Sequence, residues 1–244
     1  MKERILEYKG KSKDLYALPN GNILMVFGDA FTGADGVEDP GANQNMGVKE
    51  GLGKRNLAIS SKIFSEISKE LNVPTHHVKV DLDKGELEAV RAETLGKGYE
   101  FEVDGKKFQA AGLEFIARNL AWGSFIKRFP SANEGMLLAD APLIEVSVKN
   151  DDVNDPFFTK EEYVKGGIKA EHYNKGVEYT KKVAIHLSQH FTKVNLELID
   201  IKMEFGVTKG GELILIDEIS PGSLRALKDG KLATKEEIYE ALMS

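Results

Sequence analysis

Cysteine is absent from the 244 residues, which excludes disulfides and thiolate metal sites and permits a reducing compartment. Positive charge is not in excess either: 33 Lys and Arg face 39 Asp and Glu, for a net charge of -6, and no extended basic tract occurs. That argues against a protein that tracks a nucleic-acid backbone and leaves small anionic ligands open. No apolar run reaches the length of a membrane span, and the opening MKERILEYKGKSKDLY lacks the apolar centre of a secretory signal. A cytoplasmic protein acting without a membrane is the expectation. Prolines number only seven, while 41% of residues are hydrophobic, enough to bury the core of one large domain or two modest lobes.

The first third reads as strands and turns. RILEYKGKSKDLYAL, the turn PNGN and the run ILMVFG predict two antiparallel strands with a tight connection, because Asn and Gly accept the positive φ of hairpin turns. Residues 28–53 are dense in glycine and nearly free of apolar periodicity, so they read as a long loop suited to ligand contact. Ile59, Ile63, Ile67 and Leu71 recur every fourth residue and predict a helix from about Leu57 to Leu71. Strand-like segments continue through HHVKVDL, LEAVRAETL, YEFEVDGKKFQAAG and LEFIARNLAWGSFIKRF, and PLIEVSVKNDDVNDPFF reads as a strand entering an acidic loop. Residues 160–192 carry a helical pattern, and 194–218 return to strands. The order predicts an α+β protein with a β-rich lobe over residues 1–115 and an α/β lobe over 116–244.

One strand carries chemistry in its pattern. In LELIDIKMEFG, Asp200, Lys202 and Glu204 alternate with Ile199, Ile201, Met203 and Phe205, so one face suits a core and the other is charged, although Leu196 and Leu198 share the charged phase. With a turn at 208–211, Val207 lies opposite Glu212, Lys202 opposite Asp217, and Glu204 diagonal to Asp217, near enough for both carboxylates to share a divalent cation. A solvated outer face is the competing reading. Lys11 and Lys13, beside Gly10, suit a polyphosphate or an exposed strand edge. Arg118, Ser124, Lys127 and Arg128 surround a small-residue turn and could grip a phosphate monoester, or simply close a strand with solvated charge. His186 and His190 have helical spacing but lack the glutamate of a zinc-protease motif, so they are assigned to a helix surface.

Taken in order, YKGKSKDLY, GDAFTGADG, ARNLAWGSFIKR, VKNDDVNDP and LIDIKMEFG with LIDEISPGSLR resemble the SAICAR synthetase (phosphoribosylaminoimidazole-succinocarboxamide synthase) family across residues 8–225. The resemblance implies a two-lobed α+β fold with an antiparallel ATP-clasping lobe. It also implies a reaction in which ATP drives amide formation between a carboxylated aminoimidazole ribonucleotide and L-aspartate. Lys11, Lys13 and Lys149 would meet ATP, and Glu204 and Asp217 would hold Mg2+. Asp35, Gly36, Arg118, Ser124 and Arg225 would bind the ribonucleotide, and Lys202, Asp200 and Lys149 would serve catalysis. The partners implied are small molecules, with homo-oligomerisation open. The chain departs from the family at Gly222, in SPGSLR, where an aspartate is expected. A divergent paralogue joining another heterocyclic carboxylate or amine, and a catalytically silent nucleotide-binding regulator, therefore stand as alternatives.

Overall fold

The computed structural model describes residues 4–10, 12–34, 37–38 and 44–243, with backbone alone for those between 32 and 45. Strands β1 (Ile5–Lys9), β2 (Lys13–Ala17) and β3 (Ile23–Phe27) form a meander, so the long first segment divides at Gly10 into two strands. Leu18 N–H donates to the Asn22 carbonyl (3.0 Å), and Gly21, at φ 86°, supplies the left-handed residue of that turn. The region expected as a loop instead forms a small antiparallel sheet: β4 (Ala30–Ala34) lies between β5 (Val37–Glu38) and β6 (Gln44–Val48). A backbone ladder defines these strands and Val48 stays 77% exposed, so apolar periodicity had little to register there.

Helix α1 (Leu52–Glu70) begins five residues earlier than its periodicity indicates. Asp29 explains the early start, since its carboxylate accepts from Gly51 N–H (3.1 Å) and Gly53 N–H (2.9 Å), satisfying two donors of the first turn from a distant part of the chain. Leu57 joins Met25, Phe27, Leu87 and Ala89 in one core, while Ile59, Ile63, Phe64 and Ile67 join the main core, so this helix ties the two together. Next come β7 (His77–Asp81) and β8 (Glu86–Ala89), completing a five-stranded sheet of order β1-β2-β3-β8-β7. β9 (Ala92–Thr94) crosses to the second large sheet, and β10 (Glu100–Val103) with β11 (Lys106–Gln109) makes a hairpin closed by Asp104 and Gly105, both at positive φ.

The second sheet contains β12 (Gly112–Arg118), β13 (Leu143–Lys149), β14 (Glu197–Thr208), β15 (Leu213–Ile216), β16 (Leu224–Lys228) and β17 (Lys231–Leu232). Its path runs β13-β12-β14-β16-β17, with β9 and β15 also paired to β14. Residues 124–128, expected to continue a strand, form helix α2 (Ser124–Arg128) after the turn at Gly123. The long helical stretch is two helices, α3 (Lys160–Lys165) and α4 (Ala170–Lys193), separated at Gly166 and Gly167. α4 lies on the apolar face of the sheet through Val183, Ala184, Leu187 and Phe191. Its Gly176 sits so close to Phe115 that a Cβ would come within 2.6 Å of the ring. Helix α5 (Lys235–Met243) closes the chain and packs Ile238 and Leu242 into the same core.

Candidate active site

The face of the second sheet opposite α4 is charged across four strands. Registration brings Glu114, Ile116 and Arg118 of β12 beside Glu204, Lys202 and Asp200 of β14, respectively. On the other side of β12 the same residues meet Ser147, Glu145 and Leu143, and Asp200 meets Arg225 of β16. The alternation in LIDIKMEFG is thus one column of a wider charged field. Leu196 and Leu198 do not belong to it. A bulge between Leu198 and Asp200 advances the phase of β14 by one residue, sending Leu196 and Leu198 into the main core and Ile199 into a separate cluster with Leu120 and Leu227.

At one end of this field, acids and lysines alternate in space. Lys13 Nζ lies 2.5 Å from Asp217 and 2.7 Å from Glu218, Lys149 donates to Glu204, and Lys202 pairs with Glu114 at 2.8 Å. Asp217 arrives by a route different from the one expected. The ladder pairs Val207 with Leu213 and Glu204 with Ile216, one residue out from the register inferred for a 208–211 turn. In that register simple alternation would send Asp217 to the core face of Leu213 and Leu215. A left-handed backbone at Asp217, φ 66°, ends the strand and turns the carboxylate back toward the lysines.

Burial sets the electrostatics of this end. It raises Glu204 above the ordinary glutamate range, with Lys149 opposing and Asp217 and Glu114 adding like-charge repulsion. Burial would also raise Asp217, but Lys13 and Lys149 outweigh it and hold the group at about 2. The same burial disfavours charge on Lys13, Lys149 and Lys202, yet their carboxylate partners hold all three above the usual lysine range. Behind Asp217, burial lowers His76 to about 4. Glu218 keeps one buried carboxylate oxygen, Oε2, with no partner, a position suited to a further donor or cation.

The other end is built from guanidinium groups. Arg118, 2% exposed, donates to Asp200 (2.8 Å), Glu145 (2.7 Å) and Ser124 Oγ (2.9 Å). Arg225 grips Asp200 through two bonds of 3.0 and 2.6 Å, and Arg128 reaches Glu145 at 2.7 Å while standing 3.9 Å from the Phe157 ring centroid. Gly123, at φ 57°, leaves space for Arg225, since a Cβ would come within 2.6 Å of the guanidinium. Among the described residues, three guanidiniums and two carboxylates meet at this end, with Ser124 exposed beside them, and guanidinium forks beside a hydroxyl suit a phosphate monoester.

The structure therefore assembles Lys13, Lys149, Lys202, Glu204 and Asp217 at one end and Arg118, Ser124, Asp200 and Arg225 at the other. Lys127 is exposed on α2. Lys11, Asp35 and Gly36 lie outside the described residues. His186 and His190 face Glu66 between α4 and α1, with nearest N···O separations of 3.7 and 3.5 Å. Glu114, Glu145, Glu218 and His76 were not singled out by sequence reasoning. Glu114 and Glu145 carry a signal only once three strands are registered together, because each is an isolated acid in an apolar run. Among the described residues, no group of three or more His, Cys, Asp or Glu is arranged as a metal cage. No helix among them is long and apolar enough to cross a membrane.

Comparison with known proteins shows the family and the fold. A family model for SAICAR synthetase matches residues 6–239. The phosphoribosylaminoimidazole-succinocarboxamide synthase of Clostridium tetani is 38% identical over 227 residues, covering 92% of each chain. That of Caldivirga maquilingensis is 31% identical over 233 residues, 95% of this chain and 86% of the relative. Among solved structures, a type-2 SAICAR synthetase in complex with ADP superposes with a TM-score of 0.80 at 25% identity, covering 98% of this chain and 97% of the other. The corresponding synthase from Ehrlichia chaffeensis shares the fold with a TM-score of 0.76 at 24% identity, covering 97% and 92%. The α+β fold expected from the sequence motifs is the one observed.

Proposed function

The chain belongs to the SAICAR synthetase family, and we propose that its charged sheet face is the reaction surface of an ATP-dependent ligase that joins a carboxylated aminoimidazole ribonucleotide to L-aspartate in purine biosynthesis. The observation that carries this reading is the division of the face into two ends. One holds lysines over paired carboxylates, and the other holds guanidiniums around Asp200. A triphosphate suits the first and a ribonucleotide phosphate the second.

Glu204 and Asp217 offer hard oxygen donors, and Glu218 adds a buried oxygen without a partner. This set fits Mg2+, which binds through one or two carboxylates and completes its shell with phosphate oxygens and water. When bound, the ion would offset negative charge on the transferring phosphoryl group. Lys13, with Lys11 before it, would contact the phosphates, and Lys149 would stand where the triphosphate meets the acyl group. Lys202 would carry positive charge beside the carboxylate being activated, and Asp200 would hold the guanidiniums of Arg118 and Arg225 in a fixed orientation for the ribonucleotide. Ser124 adds a hydroxyl donor there, and Asp35 and Gly36 are assigned to the same pocket. Phosphorylation makes a carboxylate oxygen a leaving group, the amine then attacks, and fixed cations stabilise charge in both steps.

Purified protein should form ADP and phosphate only when ATP, the carboxylated ribonucleotide and aspartate are all present, with the amide product in equal amount. ADP formation that ignores the ribonucleotide, or no turnover with that set, contradicts the assignment.

A further inference from the structure

We propose that His76 is a positioning residue for Asp217, holding the left-handed backbone that aims its carboxylate at the lysine end of the site. The inference rests on the reading of Asp217 as a metal-binding carboxylate.

Without its backbone turn Asp217 would follow Leu213 and Leu215 into the core, so whatever holds φ at 66° decides which way the carboxylate points. A left-handed conformation is disfavoured for a residue with a side chain, least so for Asn and Asp, so aspartate permits the turn here and a neighbouring group that holds it makes it the settled one. His76 is such a neighbour. Its Nε2 lies 3.0 Å from the Asp217 carbonyl oxygen, and because a carbonyl only accepts, that nitrogen is the donor.

The histidine is itself fixed. It is 2% exposed, its backbone N–H donates to the Leu215 carbonyl (3.1 Å), and Leu215 N–H donates to Pro74 (2.8 Å). Its ring lies 5.6 Å from that of Phe64 and 5.1 Å from that of His77. Residues 74–76 are thus bound to the end of β15, and the imidazole reaches past it to the next carbonyl.

Asp217 is held at both ends, by His76 at the carbonyl and by Lys13 at the carboxylate. The two holds differ in permanence. Lys13 is assigned to triphosphate and would turn toward it on binding, whereas His76 contacts only the protein. The imidazole is therefore the contact that keeps the carboxylate aimed while nucleotide and metal occupy the site.

The test compares His76→Phe, which keeps a ring but removes the donor, with His76→Gln, whose amide can present an N–H to the same carbonyl. Mn2+ titrated in the presence of ADP reports metal affinity, and ADP titrated in EDTA reports nucleotide affinity without metal. His76→Phe should weaken Mn2+ binding by about 10- to 100-fold, the usual effect of removing a group that orients a ligand, and leave ADP binding in EDTA within about threefold. His76→Gln should recover most of the Mn2+ affinity. If His76→Phe does not fold, His76→Asn, too short to reach the carbonyl, takes its place.

Mn2+ affinity within about threefold of wild type in the donor-less variant overturns the proposal. So does an equal loss of metal-dependent and metal-free ADP binding, which is what general loosening would produce. Asp217→Asn and Glu204→Gln separate the two levels of the argument. If both leave Mn2+ binding unchanged, the metal reading fails and the role of His76 with it. If both abolish binding while His76→Phe does not, only the role of His76 is lost.

Discussion

Replacing Lys13 with methionine, an apolar side chain of similar length, removes one ammonium and strands two carboxylates. The Lys13 side chain is 12% exposed and meets Asp217 at 2.5 Å and Glu218 at 2.7 Å. Two lines of reasoning give the size of the effect. Removing one partner of a buried ion pair costs about 3–5 kcal/mol, because the other charge is left uncompensated. Separately, burial pushes Asp217 up and Lys13 is the largest influence pulling it down, leaving it at about 2 against an ordinary 3.8. That difference corresponds to roughly 2–3 kcal/mol of carboxylate stabilisation. Asp217 remains 32% exposed, so solvent screening favours the lower part of that range. A loss of about 2–4 kcal/mol at pH 7 without metal is expected. The pH dependence follows from the sign of the shift. A depressed carboxylate contributes stability above its unfolded value, near 3.8, that is lost as pH falls toward 2, so the wild type retains it at pH 4.5. In the variant the stranded Asp217 takes up a proton more readily, and its penalty eases as pH falls. Urea unfolding in EDTA at pH 7 and 4.5 should therefore show a gap between the two proteins that narrows at the lower pH. A gap below about 1 kcal/mol at pH 7, or one equal at both pH values, refutes the reasoning.

Glu204→Gln and Asp217→Asn should nearly abolish turnover while leaving the fold intact, since each removes a charge without changing shape; near-normal activity with unchanged Mg2+ dependence counts against both assignments. Burial lowers His76 to about 4 and His77 to about 3, so the unfolded chain binds protons that the folded one refuses. Their contribution is complete above about pH 6.5 and falls with acid, at up to about 3 kcal/mol per pH unit near pH 5, with the raised Glu204 offsetting part of it. A urea midpoint unchanged from pH 7 to 4.5 contradicts this. Gly222 is not at positive φ, and an added Cβ would come no closer than 3.3 Å, to Ser220 Oγ, so Gly222→Asp should fold. If the missing aspartate matters for substrate choice, that variant should use L-aspartate or the ribonucleotide with a lower KM; unchanged kinetics against the full substrate panel remove Gly222 as evidence for a divergent specificity.

The parts of the fold legible in the sequence depend on short-range repetition. The charged and apolar alternation of β14 and the four-residue spacing in α1 each report a single element against one core, and both elements are present. What could not be read depends on contacts between distant segments. The start of α1 is set by Asp29, which lies 22 residues before Gly51. The strands of the small sheet are paired through backbone groups, which leave no mark on hydropathy.

The site shows the same division at finer scale. Motif order places Lys13, Lys149, Glu204 and Asp217 in one family pattern, but a pattern does not say how a carboxylate reaches its position. Period-two reasoning brings Asp217 beside Lys202 only through a register that is wrong by one residue, and a one-residue error exchanges the faces of a strand. The left-handed turn at Asp217 exchanges them once more, so two departures from ideal geometry return the carboxylate to the expected side. A bulge has the opposite effect at Leu198, which lies in phase with Asp200 in the sequence and is nonetheless buried with the core. Residue type decides neither exception: aspartate tolerates a left-handed backbone, as the Asn and Asp residues at positive φ elsewhere in the chain show, but does not require one, and leucine is at home on either side of a bulge. Each is fixed by what lies beside it. For Leu198 that is the pairing of β14 with β16, and for Asp217 it is an imidazole more than a hundred residues earlier in the chain, whose hydrogen bond becomes visible only when residues 74–76 are laid against the end of β15.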